Sequence, residues 1–329
     1  MVKKVIVTGA TGFIGSNLLA ALERKGYKHI VAFDNFGNED KWKNVAKRSS
    51  IDFLSPLELW EYLDSNSDCI QAIVHLGAIS STTESDVDAV MSTNYKLSVD
   101  LYEFCIKKGI QFIYASSAST YGDGSNGFVD SDDFNELKNL RPLNPYGWSK
   151  QQTDLFISRH NGFNQPSQVV GLKFFNAYGP NEYHKGSQSS VVYTFYNQLS
   201  SYGFVKLFAS NDPIIADGDQ KRDFVYVDDC IDIILWFLSH PDKSGIFNVG
   251  TGCPCTFNNI VEIMSDYMGL KPRIKYIPIP ENISRHYQNH TCASLDKLRA
   301  AGYTKALKTP EEGIKDYIEN FLNKDDKYK

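Results

Sequence analysis

A tyrosine and a lysine lie four residues apart in the stretch Asn144-Pro145-Tyr146-Gly147-Trp148-Ser149-Lys150. Asn144 is a favourable helix cap and Pro145 suits the first helical position, so Tyr146 and Lys150 would lie on one face of a helix. An ammonium beside a phenol favours the phenolate. The pair therefore predicts a proton shuttle for the oxidation of an alcohol by hydride transfer, although a surface tyrosine and a solvated lysine would have the same spacing.

A hydroxyl group at the end of a strand would complete this chemistry. Ser117 lies in Ser116-Ser117-Ala118-Ser119-Thr120-Tyr121-Gly122, directly after the apolar run from Gln111. At that place it could donate a hydrogen bond to a substrate oxygen while Tyr146 takes the proton. A polar strand end is common by itself, but the two motifs in this order favour a shared site.

A glycine-rich turn near the start of the chain predicts a dinucleotide site. Gly9-x-x-Gly12-x-x-Gly15 lies between the apolar run Lys4 to Thr8 and a helical pattern from Asn17 to Lys25. Glycines allow a tight turn and close backbone approach, so a helix that begins near Phe13 could receive a pyrophosphate. The spacing differs from G-x-G-x-x-G, but the strand before it and the helix after it are the required context.

The residues after the second predicted strand do not decide between NAD and NADP as the cofactor. Asp34 ends the run from Ile30 and could accept a hydrogen bond from the adenosine ribose, which favours NAD. Asn35 follows, and Lys41 could instead reach the 2′-phosphate of NADP if the loop folds back. A solvated lysine is equally compatible with this sequence.

Further polar residues lie where strands are predicted to end. Gly77 to Glu84 follow a strand that ends at His75, which we interpret as a buried histidine with satisfied hydrogen bonds. Lys185 could be a phosphate clamp, a second acid/base group or a solvated lysine. Arg222 could bind a diphosphate or pair with Asp223 or Asp219.

Composition narrows the class of protein. The 329 residues are 42% hydrophobic and 22% charged, with a net charge of -5 and a pI near 5.8, which argues against nucleic acid as a partner. No stretch approaches the roughly 18 apolar residues of a membrane span, so we expect no membrane and a cytoplasmic location. The six cysteines are expected to be reduced, and His286, His290 and Cys292 do not make a convincing metal site.

Alternating strands and helices predict an α/β fold with a doubly wound, parallel Rossmann sheet. Further strands are expected at Val169 to Phe175 and Gly245 to Val249, and a helix at Asp88 to Lys108. We assign residues 1–175 plus 224–250 to the cofactor-binding domain. Residues 176–223 plus 251–329 form the smaller α/β substrate lobe, with a frayed tail from Asn323.

Together these motifs resemble a known family. Gly9-x-x-Gly12-x-x-Gly15, Ser117, Tyr146-x-x-x-Lys150, Phe175-Asn176-x-Tyr178-Gly179-Pro180 and Phe247 to Gly252 are similar to the extended short-chain dehydrogenase/reductases that act on nucleotide sugars. The match covers nearly the whole chain. Ser80 to Glu84, Glu182-x-His184-Lys185-Gly186-Ser187, Lys221 to Val227 and Leu298 to Tyr303 resemble, more narrowly, the ADP-L-glycero-D-manno-heptose 6-epimerases.

The resemblance implies an isomerase that inverts C6″ of ADP-heptose for the inner core of lipopolysaccharide. Tyr146 and Lys185 would be the acid/base residues, with Lys150 and Ser117 in support. Bound NADP is implied, with NAD as the alternative, and a homo-oligomer that is commonly a pentamer. The residues expected to bind the cofactor are Gly9, Thr11, Gly12, Phe13, Ile14, Gly15, Asp34, Asn35, Lys41, Leu76, Gly77, Ala78, Ser80, Asn94, Tyr146, Lys150, Ala177 and Lys185. Those expected to bind the substrate are Ser80, Ser117, Asn176, Ser187, Thr194, Phe208, Arg222 and Tyr287.

Two other functions remain as alternatives. A UDP-hexose 4-epimerase, or another nucleotide-sugar enzyme of the superfamily, would need Tyr146 and Ser117 but no second base. A non-catalytic NADP-binding regulator would have no use for Ser117, Tyr146 and Lys150 together.

Overall fold

The computed structural model describes residues 3–37, 39–160, 162–280 and 288–329. Its centre is a seven-stranded sheet in which all neighbouring strands are parallel. The strands are β1 (Lys4–Thr8), β2 (Ile30–Phe33), β3 (Ile51–Leu54), β4 (Ile70–His75), β5 (Gln111–Ser117), β6 (Val169–Phe174) and, late in the chain, Gly245–Val249. Their order is Gly245–Val249, β6, β5, β4, β1, β2, β3. The prediction of a doubly wound parallel sheet is confirmed.

Helices cover both faces of this sheet because its strands are apolar on both sides. Val5 and Val7 of β1 pack into one apolar cluster, whereas Ile6 between them packs into another, as expected when side chains alternate along a strand. The helices of the described residues are α1 (Phe13–Arg24), α2 (Leu59–Asn66), α3 (Val87–Val90), α4 (Leu97–Lys108), α5 (Phe134–Leu137), α6 (Pro145–Arg159), α7 (Val191–Tyr202), α8 (Val227–Ser239), α9 (Phe257–Tyr267), α10 (Asp296–Ala301) and α11 (Pro310–Tyr317). Across those ranges, no helix is both long and apolar enough to span a bilayer.

A smaller lobe lies beside the carboxyl ends of the strands. Its apolar cluster is built from one face each of α7, α9 and α11. The short strands are β7 (Asn176–Tyr178), β8 (Val205–Phe208), β9 (Lys221–Arg222) and β10 (Phe224–Tyr226), with β11 being Gly245–Val249, followed by β12 (Cys255–Thr256) and β13 (Ile274–Ile277). They pair as β7 with β10, β9 with β12, and β8 with β13.

The predicted boundary between domain and lobe at residue 224 falls at the first residue of β10, a strand that packs on both sides. Phe224 and Tyr226 of β10 belong to the apolar cluster of the lobe, whereas Val225 between them belongs to the cluster beneath the large sheet. The division into 1–175 plus 224–250 and 176–223 plus 251–329 stays a prediction.

Three elements differ from expectation. The edge strand β3 was missed. The continuous helix expected from Asp88 to Lys108 is instead α3, a π-helical turn at Met91–Lys96 and α4. The prediction of a frayed tail is wrong, because two of its residues contact the rest of the chain. Tyr183 donates a hydrogen bond to the carbonyl of Lys327 at 2.8 Å, and Lys47 pairs with Asp326 at 2.7 Å.

Candidate active site

A cleft of about 1190 Å³ opens at the carboxyl ends of β1, β4, β5 and β6, where the lobe faces the sheet. This is the switch point of the strand order, at which sheets of this type bind ligands. The volume exceeds that of common single-ligand pockets, so a dinucleotide and a second ligand could share it. The predicted site residues that line it are Gly9, Gly12, Phe13, Ile14, Gly15, Asp34, Lys41, Leu76, Gly77, Ala78, Ser80, Ser117, Tyr146, Lys150, Asn176, Ala177, Lys185, Ser187, Thr194, Phe208 and Arg222.

The glycine turn forms the floor of the cleft and leaves no room for side chains. Gly9 has φ of +65°, and a Cβ there would lie 2.5 Å from the backbone nitrogen of Gly77. A Cβ at Gly15 would collide with the carbonyl oxygen of Gly9. The turn leads directly into α1, whose cap position, Gly12, has no side chain to cover the first amide groups. The cradle thus fits a pyrophosphate held by a helix N-terminus.

Asp34, Lys41 and Thr11 form one hydrogen-bonded group at the end of β2. The backbone N–H and the hydroxyl of Thr11 donate to Asp34 Oδ2 at 2.9 and 2.6 Å. Lys41 Nζ donates to Asp34 Oδ1 at 3.0 Å and to the carbonyl of Asn35 at 2.7 Å. Lys41 therefore neutralises the carboxylate that would repel a 2′-phosphate, and both side chains still reach the cleft.

The predicted helix begins as its sequence indicates. Asn144 accepts a hydrogen bond from the backbone of Gly147 at 2.8 Å, and Pro145 is the first residue of α6. Tyr146 is half-buried and Lys150 is only 2% exposed, and both face the cleft.

Burial has the largest effect on the pKa values of Tyr146 and Lys150. It lowers the pKa of Lys150 from 10.5 to about 8, against the attraction of Asp154. It also raises the pKa of Tyr146, while a hydrogen bond with the Ser117 side chain opposes that rise. Ser117 is 6% exposed at the end of β5. Tyr146 and Ser117 can thus share a proton, and Lys150 lines the same cleft.

Lys185 reaches the same cleft from a different element, the helical turn Tyr183–Gln188 of the lobe. Its Nζ lies 5.3 Å from the ring centroid of Phe13. Burial lowers its pKa, and the buried carboxylate of Glu182 opposes that effect. An amine with a lowered pKa is suited to proton transfer near neutral pH.

Substrate-binding predictions fall on the lobe side of the cleft. Arg222 is 8% exposed, donates to the carbonyl of Lys221 at 3.0 Å, and lies with its guanidinium carbon 5.6 Å from the Phe257 ring centroid. Asn176, Ser187, Thr194 and Phe208 complete this wall. Tyr287 and His286 lie outside the described residues.

Three predicted cofactor residues do not line the cleft. Thr11 is fully buried behind Asp34, and Asn35 is exposed. Asn94 lies in the π-helical turn, where its side chain accepts from Ile79 N at 2.8 Å and donates to Ile79 O at 2.9 Å. It also donates to Ser149 Oγ at 3.1 Å. The amide of Asn94 thus joins the loop after β4 to α6, and its predicted contact with the cofactor stays a prediction.

His75 behaves as predicted. Its ring nitrogens lie 2.6 Å from Thr8 Oγ1 and 3.0 Å from Ser98 Oγ, and the side chain is 1% exposed. Burial, with a smaller effect of Lys150, lowers its pKa to about 3.

Sequence reasoning missed part of the lobe wall. Gln198, Lys206, Leu207, Phe257 and Ile277 also line the cleft. Gln198 follows Thr194 by four residues on α7, so helical spacing could have identified it. Lys206, Leu207 and Ile277 lie on the paired strands β8 and β13, and Phe257 is the first residue of α9. The sequence does not reveal these long-range contacts.

The chain is similar to known proteins along nearly all of its length. A model described as the NAD dependent epimerase/dehydratase family matches residues 5–250. The ADP-L-glycero-D-manno-heptose-6-epimerase of Fusobacterium nucleatum is 44% identical, with 98% of this chain and 99% of that protein aligned. One from Nitratidesulfovibrio vulgaris is 43% identical, with 96% and 97% aligned.

Solved structures of similar proteins have the same fold along nearly the whole chain. A crystal structure of Helicobacter pylori ADP-L-glycero-D-manno-heptose-6-epimerase superposes with a TM-score of 0.81 at 31% identity, covering 97% of this chain and 96% of that one. MoeE5 in complex with UDP-glucuronic acid and NAD superposes with a TM-score of 0.75 at 25% identity, covering 96% and 98%.

Proposed function

The chain belongs to the NAD dependent epimerase/dehydratase family, and within it to the ADP-L-glycero-D-manno-heptose-6-epimerases, and from this premise we propose that it converts ADP-D-glycero-β-D-manno-heptose to its L-glycero epimer by inverting C6″. The observation that carries the proposal is the presence of two proton-transfer groups, Tyr146 and Lys185, in one cleft. A transient 6″-ketone would present either face for re-reduction, so no net oxidation occurs.

Each reacting group of the chain has a defined task in this scheme. In one direction, Tyr146 removes the proton of the C6″ hydroxyl, and Lys185 donates a proton to the same oxygen when the opposite face is reduced. In the reverse direction the two residues exchange these tasks. Lys150 favours the phenolate of Tyr146 through its charge. Ser117 donates a hydrogen bond to the substrate oxygen, and Arg222 binds the diphosphate.

The glycine turn, Asp34, Lys41 and the loop from Leu76 to Ser80 would hold the cofactor. Its nicotinamide would supply hydride transfer from and to C6″. We favour NADP over NAD because Lys41 offers a positive charge beside Asp34. Mass spectrometry of the nucleotide released on denaturation distinguishes the two cofactors, and recovery of NAD alone would contradict this preference.

The second candidate is a UDP-hexose 4-epimerase. It is supported by the similar structure of MoeE5, which is a complex with a UDP-sugar, UDP-glucuronic acid, and NAD. Purified enzyme should convert ADP-D-glycero-β-D-manno-heptose and leave UDP-glucose unchanged, as followed by proton NMR. Turnover of UDP-glucose with no turnover of the ADP-heptose would support the 4-epimerase.

Three further properties are part of the proposal. The enzyme acts in the cytoplasm, supplies the heptose donor of the lipopolysaccharide inner core, and assembles into a homo-oligomer, a pentamer by family resemblance. Native mass spectrometry tests the subunit number, and a monomer as the sole species would contradict the assembly.

A further inference from the structure

A fully buried ion pair lies behind the helix that carries Tyr146 and Lys150. Lys173 Nζ of β6 is 2.6 Å from Asp154 Oδ2 of α6, and neither side chain has any exposure. Asp154 follows Lys150 by four residues, as Lys150 follows Tyr146, so all three share one helix face. The pair is thus continuous with the reacting groups.

Strand β5 and the turn after it satisfy this pair. Tyr114 donates to Asp154 Oδ1 at 2.9 Å, and Ser116 donates to Oδ2 at 2.8 Å. Lys173 donates to the hydroxyl of Thr120 at 2.7 Å. Gly171 of β6 makes room for the phenol, since a Cβ there would lie 2.5 Å from the hydroxyl of Tyr114.

The same contacts hold Ser117 from both sides. Ser116 precedes it, and Thr120 Oγ1 donates to the Ser117 carbonyl at 2.8 Å. Both neighbours are bonded to the ion pair. The position of Ser117 relative to α6 therefore depends on Asp154 and Lys173.

Stability does not account for an ion pair at this place. Removing two charges from water is costly, and replacing a buried pair with apolar residues of similar volume is often neutral or stabilising. A gain in the free energy of unfolding therefore does not explain why these two buried residues are charged. Their geometry gives another reason, because the pair joins the strand end of Ser117 to the helix of Tyr146 and Lys150.

We propose that Asp154 and Lys173 are positioning residues that fix Ser117, Tyr146 and Lys150 relative to one another. The inference rests on the proposed function for the role of those three residues.

Electrostatics supports this assignment. Tyr146 and Asp154 share a helix with Lys150, and His75 on β4 interacts with its charge. Tyr114 on β5 and Lys173 on β6 both reach Asp154, and Lys173 also lies 5.2 Å from the ring centroid of Tyr121. The attraction of Asp154 holds the pKa of Lys150 above the value that burial alone would give.

The test is the double variant Asp154→Asn with Lys173→Met, which removes both charges and nearly keeps their volumes. We expect a folded enzyme whose kcat falls about tenfold or more while KM stays within about twofold. We also expect the alkaline limb of kcat to move to lower pH, because Lys150 loses the attraction of Asp154 that holds its proton.

Gln151→Leu is the matched control on the same helix. Gln151 is buried and donates to the carbonyls of Leu137 and Leu140 at 2.9 and 3.0 Å. Its loss should lower the melting temperature and leave the alkaline limb in place. A double variant with the wild-type kcat and limb, or one that changes only as Gln151→Leu does, would overturn the proposal.

Tyr114→Phe is a milder variant should the double variant not fold. It removes one donor to Asp154, and we expect a severalfold lower kcat at constant KM, whereas an unchanged kcat would overturn the inference. All comparisons use the nucleotide sugar that the wild type converts. Failure of the wild type on ADP-heptose would therefore contradict the proposed function, and the ratio of variant to wild type would still decide this inference.

Discussion

Tyr146 and Lys150 would serve equally well in a dehydrogenase or a 4-epimerase, so at the level of single residues the interpretation as a 6-epimerase depends on Lys185. That lysine is far away in the sequence and reaches the cleft from the lobe rather than from the sheet. Its lowered pKa results from burial. A solvated lysine, one of the three roles that the sequence left open, does not match this environment.

The first prediction concerns the two proton-transfer groups. Tyr146→Phe and Lys185→Met should each lower kcat by about 10²- to 10⁴-fold, the usual contribution of general acid/base catalysis. The nucleotide should stay bound, as measured by mass spectrometry. Lys107→Met, an exposed position on α4, serves as the control and should keep wild-type turnover. Wild-type turnover in Lys185→Met would contradict the role of Lys185 as the second proton-transfer group.

The second prediction concerns His75 and acid stability. Its pKa is about 3 in the folded protein and 6.5 in the unfolded chain, so the unfolded chain binds a proton that the folded protein does not. The contribution of His75 to the free energy of unfolding is fully present above pH 6.5, and it falls by about 1.4 kcal/mol per pH unit as the pH drops toward 3.

Urea unfolding at pH 7 and pH 5 tests this effect. His75→Gln can keep the bonds to Thr8 and Ser98, and it should lose about 1–2 kcal/mol less between the two pH values than the wild type. His184, whose pKa is lowered to about 4 mainly by burial, contributes to the same window in both proteins. An equal loss in both would contradict the assignment.

At the scale of elements, the strongest local signals predicted structure well. The glycine turn, the caps of α6 and most strands of the sheet follow from local sequence because each depends on few residues. Strand β3 was missed since it lies at the edge of the sheet and has no buried residue. The π-helical turn that contains Asn94 could not be predicted, because tertiary contacts with Ile79 and Ser149 decide it.

The third prediction separates two glycines with the same backbone conformation. Gly9 and Gly26 have φ of +65° and +81°, but only at Gly9 would a Cβ meet other atoms. Gly26→Ala should cost about 1 kcal/mol of stability and keep cofactor binding. Gly9→Ala should abolish cofactor retention, as measured by the nucleotide content of the purified protein. Equal retention in both variants would contradict the role given to the turn.

At the scale of the whole molecule, the doubly wound sheet was predictable and the packing of the lobe was not. Alternating apolar runs fix the type of sheet, and its switch point fixes where ligands bind. The lobe contacts are non-local: the tail at Lys327 packs on Tyr183, which begins the turn that carries Lys185. Hydropathy and charge in the tail gave no sign of that contact.

The same long-range packing brings the two halves of the proposed mechanism together. Tyr146 comes from α6, and Lys185 comes from the lobe. Only the folded chain brings them into one cleft. The central claim is therefore that C6″ is oxidised and re-reduced directly between these two groups.

Epimerisation in deuterium oxide tests this claim most directly. The hydrogen of C6″ would leave as a hydride and return to the same carbon, so it would never exchange with solvent. We predict that the L-glycero product carries no deuterium at C6″ by NMR and mass spectrometry. Deuterium incorporated at C6″ would contradict the account.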